Sequence, residues 1–247
     1  MFFNLKKFSR NVLISVPSFF VDYLKDKYSH YEHYTSNVLS DLIEDGIHVF
    51  GEPLTHNDVL LLNQTLDQLF NDNPPSTYGQ GNNRVNSAGL VSDVLVGYVN
   101  KITPIIEQYL NTDKIKVEIS YFQKSFPQES LDDVAGGDFH VDDNKANLKY
   151  FIYLTDVTDL NGPFSAVLGT SRWRLKWSFL RGLLWALTEK RKFFYDFLLD
   201  RKFCLDNETK ITGKAGTHFI VDTTSAHRAC QLKQGERRVV VVSFNRH

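Results

Sequence analysis

Apolar residues recur at helical spacing through the first part of the chain and at alternate positions through much of the rest, so the pattern changes period along the sequence. Between Ser36 and Ile47 the positions Val38, Leu39, Leu42 and Ile43 fall on one face of a helix, and Gly46 stands where such a helix stops. A second amphipathic helix follows Thr55. It carries Val59, Leu60, Leu62, Leu66, Leu69 and Phe70, with Thr55 or Asn57 as its cap and Asn73-Pro74-Pro75 as its end. The stretch from Ser76 to Ser87 is rich in Gly, Asn and Ser and reads as a loop. Helical periodicity returns from Leu90 to Leu110, so residues 1–115 read as a mostly helical preface.

From Lys116 to Gln123 polar and apolar residues alternate, the signature of a half-buried strand. Tyr150 to Thr155, Thr217 to Asp222 and Arg237 to Phe244 have the same character. Turn residues at Asn161-Gly162-Pro163, Gly213 and Gln234-Gly235 separate them, so residues 116–247 read as a β-barrel or jelly roll. One insert, near residues 173–203, is rich in aromatic and basic residues and reads as helical. No repeat or clear linker cuts the chain, which is read as one domain over residues 1–247, mainly β with helices.

Composition narrows the class. With 42% hydrophobic and 23% charged residues the chain has the apolar surface for a core. Its 28 Lys and Arg against 29 Asp and Glu give a net charge of −1, so no global field draws it to nucleic acid. Cys204 and Cys230 are too few for a disulfide scaffold and fit a reducing compartment, which makes the cytoplasm the expected location. The basic N-terminus before Val12–Val16 has the outline of a signal peptide, but Pro17 and Asp22 interrupt it and no run is long enough for a transmembrane span. No pattern specifies an oligomer.

The strongest chemical signal is Gly137-Asp138-Phe139-His140-Val141-Asp142 upstream of Ser225-Ala226-His227-Arg228. In an extended segment residues i and i+2 face the same way, so His140 and Asp142 can both point into a barrel while Val141 points outward. His227, beside a later strand, is a candidate third ligand. Two imidazoles and one carboxylate leave half of an octahedral coordination sphere open, which suits non-haem Fe(II) in oxygen chemistry. The bland reading of the same residues is a hydrogen-bonded His140 and an Asp142 that caps a turn. Glu236-Arg237-Arg238 opens a strongly β-forming run. Neighbours on a strand face opposite ways, so only one arginine can enter the barrel, where its planar fork would match a dicarboxylic cosubstrate; the alternative is a solvated strand end. Among the other histidines, His30 and His33 could share a helix face as a metal pair, the blander reading being a solvated pair, and His48, His56, His218 and His247 show no partner.

Phe139-His140-Val141-Asp142, Tyr150 to Val157, Asn161-Gly162-Pro163-Phe164, Gly216 to Asp222, His227-Arg228 and Glu236-Arg237-Arg238 together resemble the phytanoyl-CoA dioxygenase family of Fe(II)/2-oxoglutarate oxygenases over roughly residues 116 to 244. The resemblance implies a double-stranded β-helix, a cupin-like jelly-roll barrel with helices outside it. It implies Fe(II) held by His140, Asp142 and His227, with 2-oxoglutarate and O2 as cosubstrates. The family spacing from the distal histidine selects Arg238 over Arg237 for the 2-oxoglutarate carboxylate. A hydroxyl that the family often places two residues past that histidine is Ala229 here, and Thr224 or Tyr121 is the candidate substitute. Val167-Leu168-Gly169-Thr170-Ser171 lacks the Pro and His usual after the Asn-Gly-Pro turn, so no relative's substrate transfers. Because Asp142 stands where halogenating relatives have a small residue, halogenation is not expected.

The implied activity is oxidative decarboxylation of 2-oxoglutarate to succinate coupled to hydroxylation of a C–H bond in a small-molecule or lipid-like substrate. The alternatives are a non-catalytic cupin-like ligand-binding barrel and a metal-dependent hydrolase, the latter leaving the arginine without a role. Between Arg172 and Lys202 nine basic residues outnumber three acidic ones, so the insert reads as a lid, a peripheral membrane contact, or a helix packed on the barrel with a solvated basic edge. Arg84, in the expected loop, reads as a surface residue or an anion contact.

Overall fold

The structure is a computed structural model that describes residues 37–77, 81–87, 90–112, 114–130, 134, 136–142, 148–171 and 201–246. Three helices of the preface form where the periodicity places them: α1 (Asn37–Glu44), α2 (His56–Asp72) and α3 (Asp93–Leu110). Helix α1 buries Leu39 and Leu42 and ends at Gly46, whose φ of +81° is a conformation glycine adopts without strain. Thr55 caps α2 by accepting the Asp58 N–H. Most of the expected insert lies outside the described residues; at its end a short helix, α4 (Arg201–Asp206), is described. None of the described helices is long and apolar enough to cross a membrane.

Among the described residues ten strands form two sheets. They are β1 (Ile47–Val49), β2 (Ser76–Thr77), β3 (Asn82–Ser87), β4 (Ile115–Ser125), β5 (Leu148–Tyr153), β6 (Phe164–Val167), β7 (Glu208–Ile211), β8 (His218–Asp222), β9 (His227–Ala229) and β10 (Arg237–Arg246). The larger sheet runs β1-β8-β5-β10-β4-β3-β2 and the smaller β7-β6-β9, with antiparallel pairing throughout. This is the jelly-roll arrangement, mainly β with helices on one side.

The described part of the preface also carries strands. It contributes β1, which pairs with β8, and the stretch expected as a loop forms β2 and β3, with β3 paired along β4. Backbone pairing offered by β4 overrides the weak strand propensity of Asn82-Asn83-Arg84. Asn82 and Arg84 line a cavity with polar side chains, so no apolar alternation marks the strand.

The larger sheet has two different faces. Val240, Val242 and Phe244 of β10 pack with Phe122, Tyr150, Ile152 and Ile220 against the helices. Val239 and Val241 face the other way, with Tyr153, Phe164, Phe219 and Val221. Glu208 of β7 ties the smaller sheet together across its middle strand. Arg228 of β9 donates to it twice, Nε to Oε1 at 2.7 Å and Nη2 to Oε2 at 2.8 Å, and both side chains are at least nine-tenths buried. Burial pushes the Glu208 carboxyl up, but the Arg228 and Ser165 hydrogen bonds outweigh it and hold it below its ordinary value.

Removing one partner leaves a buried charge alone, so Glu208→Gln should lower unfolding free energy by about 3 kcal/mol in urea denaturation at neutral pH. A carboxyl held low in the folded state contributes fully above its unfolded pKa and loses that contribution as pH falls through the folded one. The gap between wild type and Glu208→Gln should therefore close in acid.

Candidate metal centre and its cavity

His140 and His227 are opposite residues of an antiparallel bridge. Each donates its backbone N–H to the other's carbonyl, at 2.9 and 3.0 Å, and their ring centroids lie 4.4 Å apart. The Asp142 N–H donates to Thr223 O and continues the extended segment, with Val141 fully buried on the other side. Gly136, at φ +72°, passes so close that a Cβ there would sit 3.0 Å from His140 Cε1.

Each imidazole has one nitrogen committed. His140 Nδ1 lies 2.8 Å from Asp138 O and His227 Nδ1 2.9 Å from Ser225 O; a carbonyl only accepts, so both Nδ1 atoms donate and Nε2 is the nitrogen each ring has left to offer a metal. His140 Nε2 is 3.8 Å from Asp142 Oδ1 and His227 Nε2 is 3.9 Å from Asp142 Oδ2. The three donor atoms lie within 4.8 Å of one another. Burial and the neighbouring His140 push the His227 imidazole down to about 3, which keeps it neutral and available as a ligand. Burial also pushes the Asp142 carboxyl up, but the Lys149 ammonium that donates to it holds it well below the usual carboxylate range. Two imidazoles fixed through Nδ1 and a carboxylate form a donor set that fits a divalent first-row cation such as Fe(II).

The triad borders a cavity of about 140 Å³ walled by Phe151, Phe164, Val239 and Val241 and carrying Tyr121, Lys149 and Arg237. Of the two neighbouring arginines, Arg237 lines this cavity, whereas Arg238, which the family spacing selects, does not. Arg237 shares the inward face with Val239 and Val241 and is 8% exposed. It donates from Nη1 to Gly162 O and from Nη2 to Ser125 Oγ at 3.2 Å, while its buried Nε has no hydrogen-bond partner among the described residues. Arg238 points to the helical side and pairs with Asp67 of α2 at 3.1 Å and with Glu236 at 3.0 Å.

Tyr121 lines the cavity, its ring 3.7 Å from the Arg84 guanidinium stacked on it. Thr224 does not. It is fully buried in the turn between β8 and β9, its N–H donating to Asp222 Oδ1 at 2.8 Å. Arg84 is half-buried at the cavity, not a surface residue, and donates through Nε and Nη2 to Gln123 Oε1. Lys149 escaped the sequence reading, although its position two residues before Phe151 on one strand face was the available signal. Cys230 also lines the cavity, but burial pushes its thiol up to about 11, which leaves it an inert hydrophobe.

No family model matches the chain, and no curated protein matches it in sequence. Solved structures match its fold. HygX from Streptomyces hygroscopicus, with nickel, 2-oxoglutarate and hygromycin B bound, superposes with a TM-score of 0.58 at 13% identity, covering 86% of this chain and 88% of that one. The non-heme alpha ketoglutarate dependent carbocyclase SnoK from nogalamycin biosynthesis gives 0.62 at 17% identity over 86% and 84%. EctD from S. alaskensis with bound Fe gives 0.60 at 15% identity over 88% and 81%. The fold is thus one shared with iron- and 2-oxoglutarate-dependent enzymes.

His140→Ala and His227→Ala should each abolish Co(II) binding measured by isothermal titration calorimetry. His48→Gln should leave it unchanged, because that imidazole bonds Asp41 at 2.6 Å away from the cavity.

Proposed function

We propose that the protein is an Fe(II)- and 2-oxoglutarate-dependent dioxygenase. In this reading it uses O2 to hydroxylate a C–H bond of a small-molecule or lipid-like substrate while 2-oxoglutarate becomes succinate and CO2, with residues 1–247 as one catalytic domain in the cytoplasm. The observation that carries it is the convergence of two imidazoles, each with Nδ1 committed to a carbonyl, and one carboxylate on a cavity that also holds a buried arginine. The motifs resembling phytanoyl-CoA dioxygenases support the same assignment, as do the metal and 2-oxoglutarate found in HygX and the iron in EctD.

His140, Asp142 and His227 hold the iron, which when bound supplies the oxygen activation that decarboxylation of the 2-oxo acid drives. The rest of the work is positioning. Arg237, rather than Arg238, takes the distal carboxylate, because its guanidinium lies at the cavity with Nε unpaired and a planar fork can make two charge-assisted hydrogen bonds to a carboxylate. Tyr121 borders the same space and takes the place of the hydroxyl missing at Ala229. Phe151, Phe164, Val239 and Val241 exclude water from the reacting groups.

Anaerobic titration with Fe(II) and 2-oxoglutarate should produce the weak visible charge-transfer band of the chelate. Arg237→Ala should weaken 2-oxoglutarate binding by about tenfold or more, the value of a lost charge-assisted bond, while Arg238→Ala should leave it unchanged. A wild type that binds Fe(II) yet gives no band overturns the assignment in favour of hydrolysis or ligand binding without turnover.

A further inference from the structure

Lys149 stands on the inward face of β5 with Phe151 and Tyr153, paired across the sheet with Ser243 and Val221. An apolar side chain would pack at this position. A lysine brings a charge into the barrel, which costs free energy unless an anion meets it. Here the anion is Asp142: Lys149 Nζ donates to Oδ2 at 2.5 Å, and both side chains are about four-fifths buried, at 21% and 19% exposure.

The contact makes the two oxygens of Asp142 unequal. Each oxygen faces one imidazole, Oδ1 at 3.8 Å from His140 Nε2 and Oδ2 at 3.9 Å from His227 Nε2, but Oδ2 is the one that accepts the strong charge-assisted hydrogen bond from Lys149. We infer that Lys149 is a positioning residue that limits Asp142 to holding a metal through one oxygen. The inference rests on the metal assignment proposed above. A carboxylate can offer a cation one oxygen or two, and each extra oxygen taken by Asp142 is a coordination position lost to a chelating 2-oxo acid. Lys149 also offsets the Asp142 charge, which loosens the hold on a bare cation and favours a dianionic cosubstrate. Both effects act in the same direction. Removing the lysine costs 2-oxoglutarate affinity without costing metal affinity, a signature that a merely structural lysine does not have.

The test compares wild type with Lys149→Met, Lys149→Gln and Lys149→Arg, using Co(II) affinity by calorimetry without 2-oxoglutarate and 2-oxoglutarate affinity from the anaerobic Fe(II) chelate band. The Met and Gln variants should bind Co(II) as tightly as wild type or more tightly while losing about tenfold or more in 2-oxoglutarate affinity. The Arg variant should keep both near wild type. Unchanged 2-oxoglutarate affinity, or a joint fall of both affinities in a variant that melts like wild type, overturns the inference. Should the Met variant fail to fold, the Gln variant, which keeps a polar end, carries the comparison. A wild type that binds no Co(II) removes the metal assignment itself, so the two failures are distinguishable.

Discussion

Two backbone hydrogen bonds between His140 and His227 hold the candidate centre together. Because they join opposite residues of an antiparallel bridge, the imidazoles start from facing positions and meet without any long reach. A slip of one residue would replace His140 by Val141 and turn both ligands of that segment away. The constraint extends outward. Arg228, next to His227, is locked to Glu208, so β9 is pinned across the smaller sheet before it presents its histidine. On the other side of the bridge the Asp142 N–H is fixed to Thr223, and Lys149 takes one of the Asp142 oxygens.

The larger sheet serves this arrangement by being two surfaces at once. Its outer face is apolar and docks the helices, with Arg238 closing the edge through Asp67 of α2. Its inner face carries Arg84, Gln123, Ser125, Lys149 and Arg237. Buried polar groups of this kind are tolerable because they satisfy one another: Gln123 accepts from Arg84 and donates to Asn82 and Ser125, and Ser125 accepts in turn from Arg237.

Much of this was legible without coordinates. The helices α1, α2 and α3, the strands β4, β5, β8 and β10, and the pairing of His140 with Asp142 on one face all follow from period and spacing. Strands β2 and β3 did not, because Asn82 and Arg84 of β3 line the cavity in place of apolar residues, β3 takes its pairing from β4, and the two exposed residues of β2 take theirs from β3. The choice between Arg237 and Arg238 was hidden by the four consecutive valines that follow. A run buried on both faces shows no alternation, so nothing local says which parity is inside.

By itself the sequence determined the elements with a strong period and the residue types able to bind a metal, because both depend on neighbours a few positions apart. The tertiary structure decided which arginine enters the cavity, that Thr224 stays in a turn, and that Lys149 meets Asp142. Those outcomes depend on sheet register and on which face of a strand meets the second sheet, and register is set by pairing between segments far apart in the chain.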